Sequence, residues 1–151
     1  MSNNQFKRGE LYSVINGMAT TAVARRLQKN FRNAGLEITI EQWSVLYHLW
    51  KEDGLSQLEL GNRTFRDKAS TTRLIDNLEK QELVTRVASK DDRRINLVYL
   101  TDIAKPLQQI TYELANKTMN ESLQNISKEE IEVVKNVLQR VYDNLTSKDL
   151  I

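Results

Sequence analysis

The hydrophobic pattern of the chain changes from a helical period to a strand period at Glu82. Before it, apolar residues recur at helical spacing from about residue 67 to residue 81. After it, residues 83–89 and 95–101 alternate between two faces, which predicts two strands. The residues that separate these strands, 90–94, are all charged. We therefore expect one helix followed directly by a β-hairpin with a charged turn.

A second, shorter helix is predicted just before that one. Ser56 and Glu59 have the spacing of a capping box, and Asp67 is a natural N-cap for the helix that follows. We expect Leu58 to pack inward and Gly61 to permit a close crossing of the two helices. Two short helices separated by a few residues are typical of a helix-turn-helix, and a hairpin behind them is a wing.

The rest of the chain is predicted to be helical. The expected helices are residues 11–31, residues 40–51 with Thr39 and Gln42 as a capping box, residues 102–123 with Pro106 in the first turns, and a last helix opened by Ser127 and Glu130. In the last helix, apolar residues recur at the spacing of a coiled-coil seam; they are Ile131, Val134, Leu138, Val141 and Leu145.

Such a short seam must pack against something, so we infer that the first and last helices form a separate helical layer. The predicted fold class is mainly α with a small β-hairpin wing (α+β). Residues 1–36 and 102–151 are expected to form a dimerisation region, and residues 37–101 a winged helix-turn-helix domain.

Composition excludes several classes of site. The chain has no cysteine and a single histidine, His48, which excludes disulfides, thiolate metal sites, thiol switches and multi-histidine metal sites. We find no nucleophile motif and no glycine-rich phosphate loop, so we expect neither an enzyme nor a cofactor. No apolar run approaches the roughly 20 residues that span a bilayer, and the N-terminus lacks the apolar core of a signal peptide. The expectation is a soluble, cytoplasmic protein without a membrane partner.

Positive charge is concentrated in the middle of the chain. Residues 63–94 contain nine lysines and arginines against six acidic residues, whereas residues 107–151 contain five against seven. A basic middle between neutral or acidic ends indicates that the middle meets a polyanion, although chance variation of a charged surface produces the same pattern.

Two motifs in this basic region carry a family resemblance. Residues 92–101, DRRINLVYLT, fit the wing signature D-x-R followed by L-T, and residues 70–80, STTRLIDNLEK, look like a recognition helix. With this order of elements, residues 10–145 resemble the MarR family of bacterial and archaeal regulators. The family usually has glycine where Glu82 stands, in a left-handed turn that closes the recognition helix, and often where Ala104 stands.

The resemblance implies a homodimeric transcriptional regulator, a repressor by expectation, that binds double-stranded DNA at a pseudo-palindrome with half-sites about one helical turn apart. The recognition helix would enter a major groove, and Arg94 of the wing would enter a minor groove. Asp92 would hold Arg94 or the wing backbone in place. The residues expected at the DNA are Arg63, Arg66, Lys68, Ser70, Thr72, Arg73, Asn77, Lys90, Asp92, Arg93 and Arg94.

The expected roles of these residues differ, and alternatives stay open. Arg63 and Arg66 suit phosphates, and Lys90 and Arg93 are phosphate neighbours. Arg73 can pair with a guanine edge or a phosphate. Its alternative is an exposed side chain that pairs with Asn77 or Asp76. The alternative for the charged turn is a solvated hairpin tip.

Many members of the family bind small aromatic acids, so the resemblance also implies a phenolic or carboxylate effector. The candidate ligand residues are Arg25, Trp43, Tyr47 and His48. The competing interpretation makes Trp43 and Tyr47 ordinary core, His48 a surface or satisfied polar residue, and Arg25 part of an interfacial salt bridge. Two other functions compete with the regulator: a winged helix that binds a protein, and an architectural DNA binder without a dedicated operator.

Overall fold

The computed structural model describes residues 13–15 and 17–146. The elements are α1 (Met18–Asn33), α2 (Ile40–Lys51), β1 (Leu55–Ser56), α3 (Gln57–Thr64), α4 (Lys68–Lys80), β2 (Val84–Ala88), β3 (Asn96–Leu100), α5 (Leu107–Ser122) and α6 (Lys128–Thr146). The predicted fold class, mainly helical with a small antiparallel sheet, is confirmed. One compact unit comprises residues 24–118, and a second comprises the described residues on either side of it, up to residue 23 and from residue 119.

The sheet has three strands in the order β1-β3-β2, all antiparallel. The hairpin of β2 and β3 pairs Val84 with Leu100 and Ala88 with Asn96, as the alternating pattern predicts. Strand β1 was missed, because two residues, Leu55 and Ser56, are too few for a readable alternation. It ties the start of α3 to the middle of β3.

The unit of residues 24–118 has one hydrophobic core. Its fully buried side chains come from α1, α2, α3, α4 and the sheet; the largest apolar ones are Phe31, Leu46, Leu49, Leu60, Ile75, Leu78, Val45, Val84 and Val98. This core holds α3, α4 and the hairpin in a fixed arrangement.

Two helix boundaries were predicted wrongly. The first helix, predicted over residues 11–31, is interrupted at Gly17, whose φ of 131° lies outside the helical region, so α1 begins at Met18. Residues 11, 12 and 16 lie outside the described residues. The helix predicted from residue 102 begins only at Leu107, directly after Pro106, because proline disfavours helical backbone at the residue before it.

The turn between α4 and β2 confirms the left-handed conformation expected at Glu82, whose φ is 59°. The backbone N–H of Glu82 donates to the carbonyl of Glu79 at 2.9 Å, and that of Leu83 donates to Leu78 at 2.9 Å. These two bonds are a Schellman motif, which satisfies carbonyls at the end of the helix. The second departure from the family pattern, Ala104, is fully buried and accepts a hydrogen bond from Trp50 Nε1 at 3.2 Å.

Helix α6 begins at the predicted capping box. The backbone N–H of Glu130 donates to Ser127 Oγ at 3.1 Å, and Glu130 Oε2 accepts from the N–H of Ser127 at 2.7 Å. No residue of this helix is buried in the single chain. The apolar seam is therefore open, with Val134, Leu138 and Leu145 exposed.

Candidate nucleic-acid interface

Helix α3 starts where the capping box predicts. Ser56 Oγ accepts from the N–H of Glu59 at 3.2 Å, and Glu59 Oε2 accepts from the N–H of Ser56 at 2.8 Å. The side-chain hydrogen bond from Ser56 is the largest reason that the pKa of Glu59 is lowered. The expectation for Leu58 is wrong, because this side chain is 75 % exposed. Leu60, which lies about 200° further around the helix, is the residue that packs inward.

Gly61 of α3 is buried and lies against Thr71 of α4. A Cβ placed there would lie 3.0 Å from Thr71 Oγ1 and 3.2 Å from the carbonyl oxygen of Arg66, so a larger residue would require one of these neighbours to shift. The expected close crossing at glycine is therefore what the structure contains.

Asp67 caps the start of α4. Its Oδ1 accepts from the N–H of Ser70 at 2.8 Å, and its Oδ2 accepts from Ser70 Oγ at 2.9 Å. These two bonds, the backbone one first, hold the pKa of Asp67 below its ordinary value. The backbone N–H and the hydroxyl of Ser70, a predicted DNA contact, are therefore both bonded to Asp67. Lys68 and Ala69 of the same turn are exposed.

Helix α4 has one buried and one open face. Thr71, Ile75 and Leu78 are buried against the core. Arg73 and Asn77 are exposed on the other side, and Thr72 is half-buried because its hydroxyl accepts from Gln57 Nε2 at 3.2 Å. The helix therefore has a core face and a solvent face.

Most of the predicted DNA-binding cations are available for an external partner. Of the seven predicted DNA-binding cations, all within the described residues, five are exposed and have no ion pair: Lys68, Arg73, Lys90, Arg93 and Arg94. Arg73 does not pair with Asp76, which is bound by Arg86 instead. Arg63 differs from the others, since it pairs with Glu52 at 2.6 Å. Arg66 is half-buried, and its Nε is buried without a hydrogen-bond partner.

The wing consists of β2, β3 and the turn at residues 89–95. Its turn is closed by the N–H of Ser89 donating to the carbonyl of Ile95 at 2.8 Å, and by the N–H of Ile95 donating to the carbonyl of Asp92 at 3.0 Å. Asp92 Oδ1 accepts from the backbone N–H of Arg94 at 2.9 Å. Of the two roles expected for Asp92, it therefore holds the wing backbone, and the Arg94 guanidinium stays exposed.

Arg86 is a functional candidate that was not predicted from the sequence. This residue of β2 reaches Asp76 and Glu79 of α4 through its guanidinium, at 2.6 Å and 2.5 Å. Its Nε also donates to Gln57 Oε1 of α3 at 2.9 Å. Asp76 and Glu79 are three residues apart and so lie on one side of the helix, which could have indicated a basic partner. The sequence does not show which residue is that partner, because tertiary packing decides which strand lies beside the helix.

The candidate ligand residues fall into an aromatic cluster and one outlying arginine. Trp43 and Tyr47 pack with ring centroids 5.6 Å apart, and Tyr47 contacts Tyr112 at the same distance. The ring of His48 lies against Tyr47. Arg25 is exposed on α1.

One side chain of this cluster, His48, has a shifted pKa, and two others have buried donors without a hydrogen-bond partner. Burial is the largest cause that lowers the pKa of His48, and the neighbouring cations Arg63 and Lys51 add to it. Two donors in the cluster, Trp43 Nε1 and Tyr112 OH, are buried without a hydrogen-bond partner.

The described residues hold no group of three or more acidic, histidine or cysteine side chains arranged for a metal ion. Within the same residues, no helix has the length and apolar character that crossing a membrane requires.

A helix-turn-helix with an exposed basic helix face, followed by a hairpin with a basic tip, defines the class of winged-helix DNA-binding proteins. The MarR family matches residues 38–95, which cover α2, the helix-turn-helix and the tip of the wing.

Solved structures match over most of the chain. The transcriptional regulator PA3341 is 29% identical, with a TM-score of 0.76, over 91% of this chain and 99% of that one. A MarR protein from Peptoclostridium difficile is 24% identical, with a TM-score of 0.81, over 96% and 92%. A mutant of MarR from E. coli, solved with operator DNA, is 22% identical, with a TM-score of 0.81, over 91% and 98%.

Residues 38–95 match the MarR family, and most of the chain has the winged-helix fold of solved transcriptional regulators. Proteins of this family are transcriptional regulators and not enzymes. The family resemblance and the fold expected from the sequence are thereby confirmed.

Proposed function

We propose that this protein is a homodimeric repressor that binds a pseudo-palindromic operator in the cytoplasm and is released by a small aromatic or acidic effector. The observation that carries the proposal is the set of exposed cations without ion pairs on α4 and on the wing tip. Such cations in a free protein are available to replace counterions at DNA phosphates. The operator complex of the E. coli relative supports the same use of the fold.

Helix α4 reads the major groove in this proposal. Lys68, Ala69, Thr72, Arg73 and Asp76 line a shallow depression on the helix, which is open enough for a base edge or a phosphate. Arg73 is the best candidate for a base contact, because a guanidinium can bind the O6 and N7 atoms of guanine together. The exposed amide of Asn77 lies one turn further along the helix.

The wing supplies the second contact. The hydrogen bond between Asp92 and the N–H of Arg94 orders the turn, so less conformational entropy is lost when Arg94 enters a minor groove. Lys90 and Arg93 are left for the flanking phosphates.

A second copy of the chain would cover the open seam of α6. The helix has no buried residue, yet its apolar residues recur at coiled-coil spacing. A two-fold dimer formed through this seam would present two recognition helices to one pseudo-palindrome.

The aromatic cluster is the proposed effector site. Trp43 Nε1 and Tyr112 OH are buried donors without partners, and an unsatisfied buried donor costs about 1–3 kcal/mol. A carboxylate or phenolate that displaced the side chains covering these donors would accept from them, and its own ring would then stack on the cluster. Phenolic acids screened by thermal shift, followed by operator binding with each hit, test this idea. It fails for this chemical class if no hit changes DNA affinity.

The main experiment selects the preferred sequence of the dimer from a pool of random DNA and then measures variants on that sequence. We expect a palindrome, with losses for Arg73→Ala and Arg94→Ala and none for Arg140→Ala, an exposed cation of α6 that serves as control. Loss at a base contact depends on sequence, whereas loss at a phosphate contact is nearly uniform and lowers the salt slope by about one.

Two results would refute the proposal. Equal affinity for all sequences at fixed salt would indicate an architectural DNA binder. Failure to bind or enrich any DNA sequence would favour a winged helix that binds a protein, and failure of both arginine variants to weaken binding would refute the contacts assigned to Arg73 and Arg94.

A further inference from the structure

Arg86 joins three elements through one guanidinium. The side chain leaves β2, donates from Nη1 to Glu79 Oε2 at 2.5 Å and from Nη2 to Asp76 Oδ1 at 2.6 Å, and donates from Nε to Gln57 Oε1 at 2.9 Å. Only 17 % of it is exposed. Each of its three nitrogens thus has an acceptor, and the acceptors lie on both helices of the helix-turn-helix.

The contact continues on both sides of the guanidinium. Glu79 Oε1 accepts from the backbone N–H of Arg86 at 3.2 Å, so one carboxylate holds both the strand and its side chain. Gln57 donates its Nε2 to Thr72 Oγ1 at 3.2 Å. The network therefore runs from the wing strand through α3 to a side chain on the DNA-facing part of α4.

This network is placed where it can set the angle of the wing. Arg86 pairs with Val98 in the middle of the hairpin, and the strand ends two residues later at Ala88. The turn that carries Arg94 extends beyond that point, so a small rotation of the strands against α4 would displace the tip. A planar guanidinium with several partners resists such rotation, because its donors have a fixed geometry.

The same contact determines what Asp76 does. Asp76 lines the depression on α4 together with Arg73 and is three residues away from it, which is a pairing distance on a helix. Because Asp76 is bound by Arg86, Arg73 stays unpaired and exposed.

We propose that Arg86 is a positioning residue that holds the wing against the recognition helix, so that the contacts of Arg94 and Arg73 with DNA depend on it. This inference rests on the proposed function, since it presupposes that Arg94 contacts DNA. Arg86 itself is turned toward the protein and touches no nucleotide in the proposal.

The test is a double-mutant cycle on the selected operator. Dimer affinity is measured for the wild type, Arg94→Ala, Arg86→Gln and the double variant. With Arg86 in place, Arg94→Ala should weaken binding about tenfold, the size of one good contact. With Arg86→Gln, the same change at Arg94 should cost less than about threefold, because a displaced wing has little contact left to lose.

Two further variants distinguish a positioning role of Arg86 from an effect of its charge and from loss of folding. Arg86→Lys keeps the charge without the fork and should behave as Arg86→Gln does. Glu79→Gln removes one of the carboxylate oxygens that accept from Arg86 and leaves Arg86 itself in place. This variant replaces Arg86→Gln in the test if Arg86→Gln does not fold, and it should also reduce the effect of Arg94→Ala on affinity. Arg140→Gln, the matched loss of a cation on α6, should leave that effect at its wild-type size.

The outcomes are distinguishable. Equal losses from Arg94→Ala with and without Arg86, in folded dimers, overturn the inference and leave the proposed function intact. The inference is also overturned if Arg94→Ala still weakens binding about tenfold in the Arg86→Lys background, because the positive charge of residue 86 would then be enough. No loss from Arg94→Ala in the wild-type background refutes the wing contact itself and the inference with it.

Discussion

Replacing Glu82 by glycine should stabilise the folded protein, although it deletes a side chain. Glu82 follows the C-cap of α4 with a φ of 59°, where a residue with a Cβ loses about 1–2 kcal/mol. Glycine adopts this conformation freely, but it gives the unfolded chain more freedom, which costs about 0.4–1 kcal/mol. The difference is a net gain of roughly 0.5–1 kcal/mol.

The surroundings of Glu82 support this estimate. The Glu82 side chain is exposed, and the bonds formed at this position use its backbone: the N–H donates to Glu79, and the carbonyl accepts from Thr101 Oγ1 at 2.6 Å. Glycine keeps both bonds, so no contact is lost to offset the relief of strain.

The measurement is urea unfolding followed by circular dichroism, at one protein concentration because a dimer gains apparent stability with concentration. Glu82→Gln controls for the lost charge, and Lys80→Gly places glycine in the helical last residue of α4, where it should destabilise by about 0.5–1 kcal/mol. The reasoning is refuted if Glu82→Gly is no more stable than Glu82→Gln, or if the two glycine variants shift the unfolding midpoint in the same direction.

Three further predictions concern the positions of single residues. Leu58→Ala should change the free energy of unfolding by less than about 0.5 kcal/mol, whereas Leu60→Ala should cost about 2–5 kcal/mol; equal losses in urea unfolding would contradict the observed burial. Gly54→Ala should destabilise by at least about 1–2 kcal/mol, because φ is +75° and the new Cβ would lie 2.7 Å from the Tyr99 ring, and an unchanged unfolding midpoint would contradict this. Burial holds the pKa of His48 below its ordinary value, so the unfolded state binds a proton more readily; stability should therefore fall as the pH drops below the ordinary histidine pKa of about 6.5, and His48→Gln should reduce this pH dependence.

Local chemistry made much of the helix-turn-helix predictable. The capping residues Thr39, Ser56, Asp67 and Ser127 each accept the hydrogen bond that their spacing predicts. Side chain and backbone are only three residues apart in these motifs, so neighbouring residues suffice to form them. The left-handed turn at Glu82 was predicted from the family resemblance and not from local propensity.

The wrong predictions concern which face of a short helix is buried and at which residue a helix begins, since a short residue pattern is compatible with more than one answer. Leu58 and Leu60 are both leucines in the same helix, and only the direction of the core decides which of them is buried. The start of α1 depends on the conformation of Gly17, and the start of α5 on the turn before Pro106. A residue pattern indicates that a helix is present more reliably than it indicates where the helix begins.

By itself, the sequence indicated a resemblance to the MarR family, the order of the helices and the hairpin, and the basic residues that the recognition helix and the wing tip would carry. Tertiary structure alone decided which of those cations stay unpaired: Arg63 is bound by Glu52, while Arg73 is left open because Arg86 binds Asp76. The physical reason is the range of the interactions. Caps and helical periods act within a few residues, whereas an ion pair between a strand and a helix exists only after the core has placed the two elements side by side.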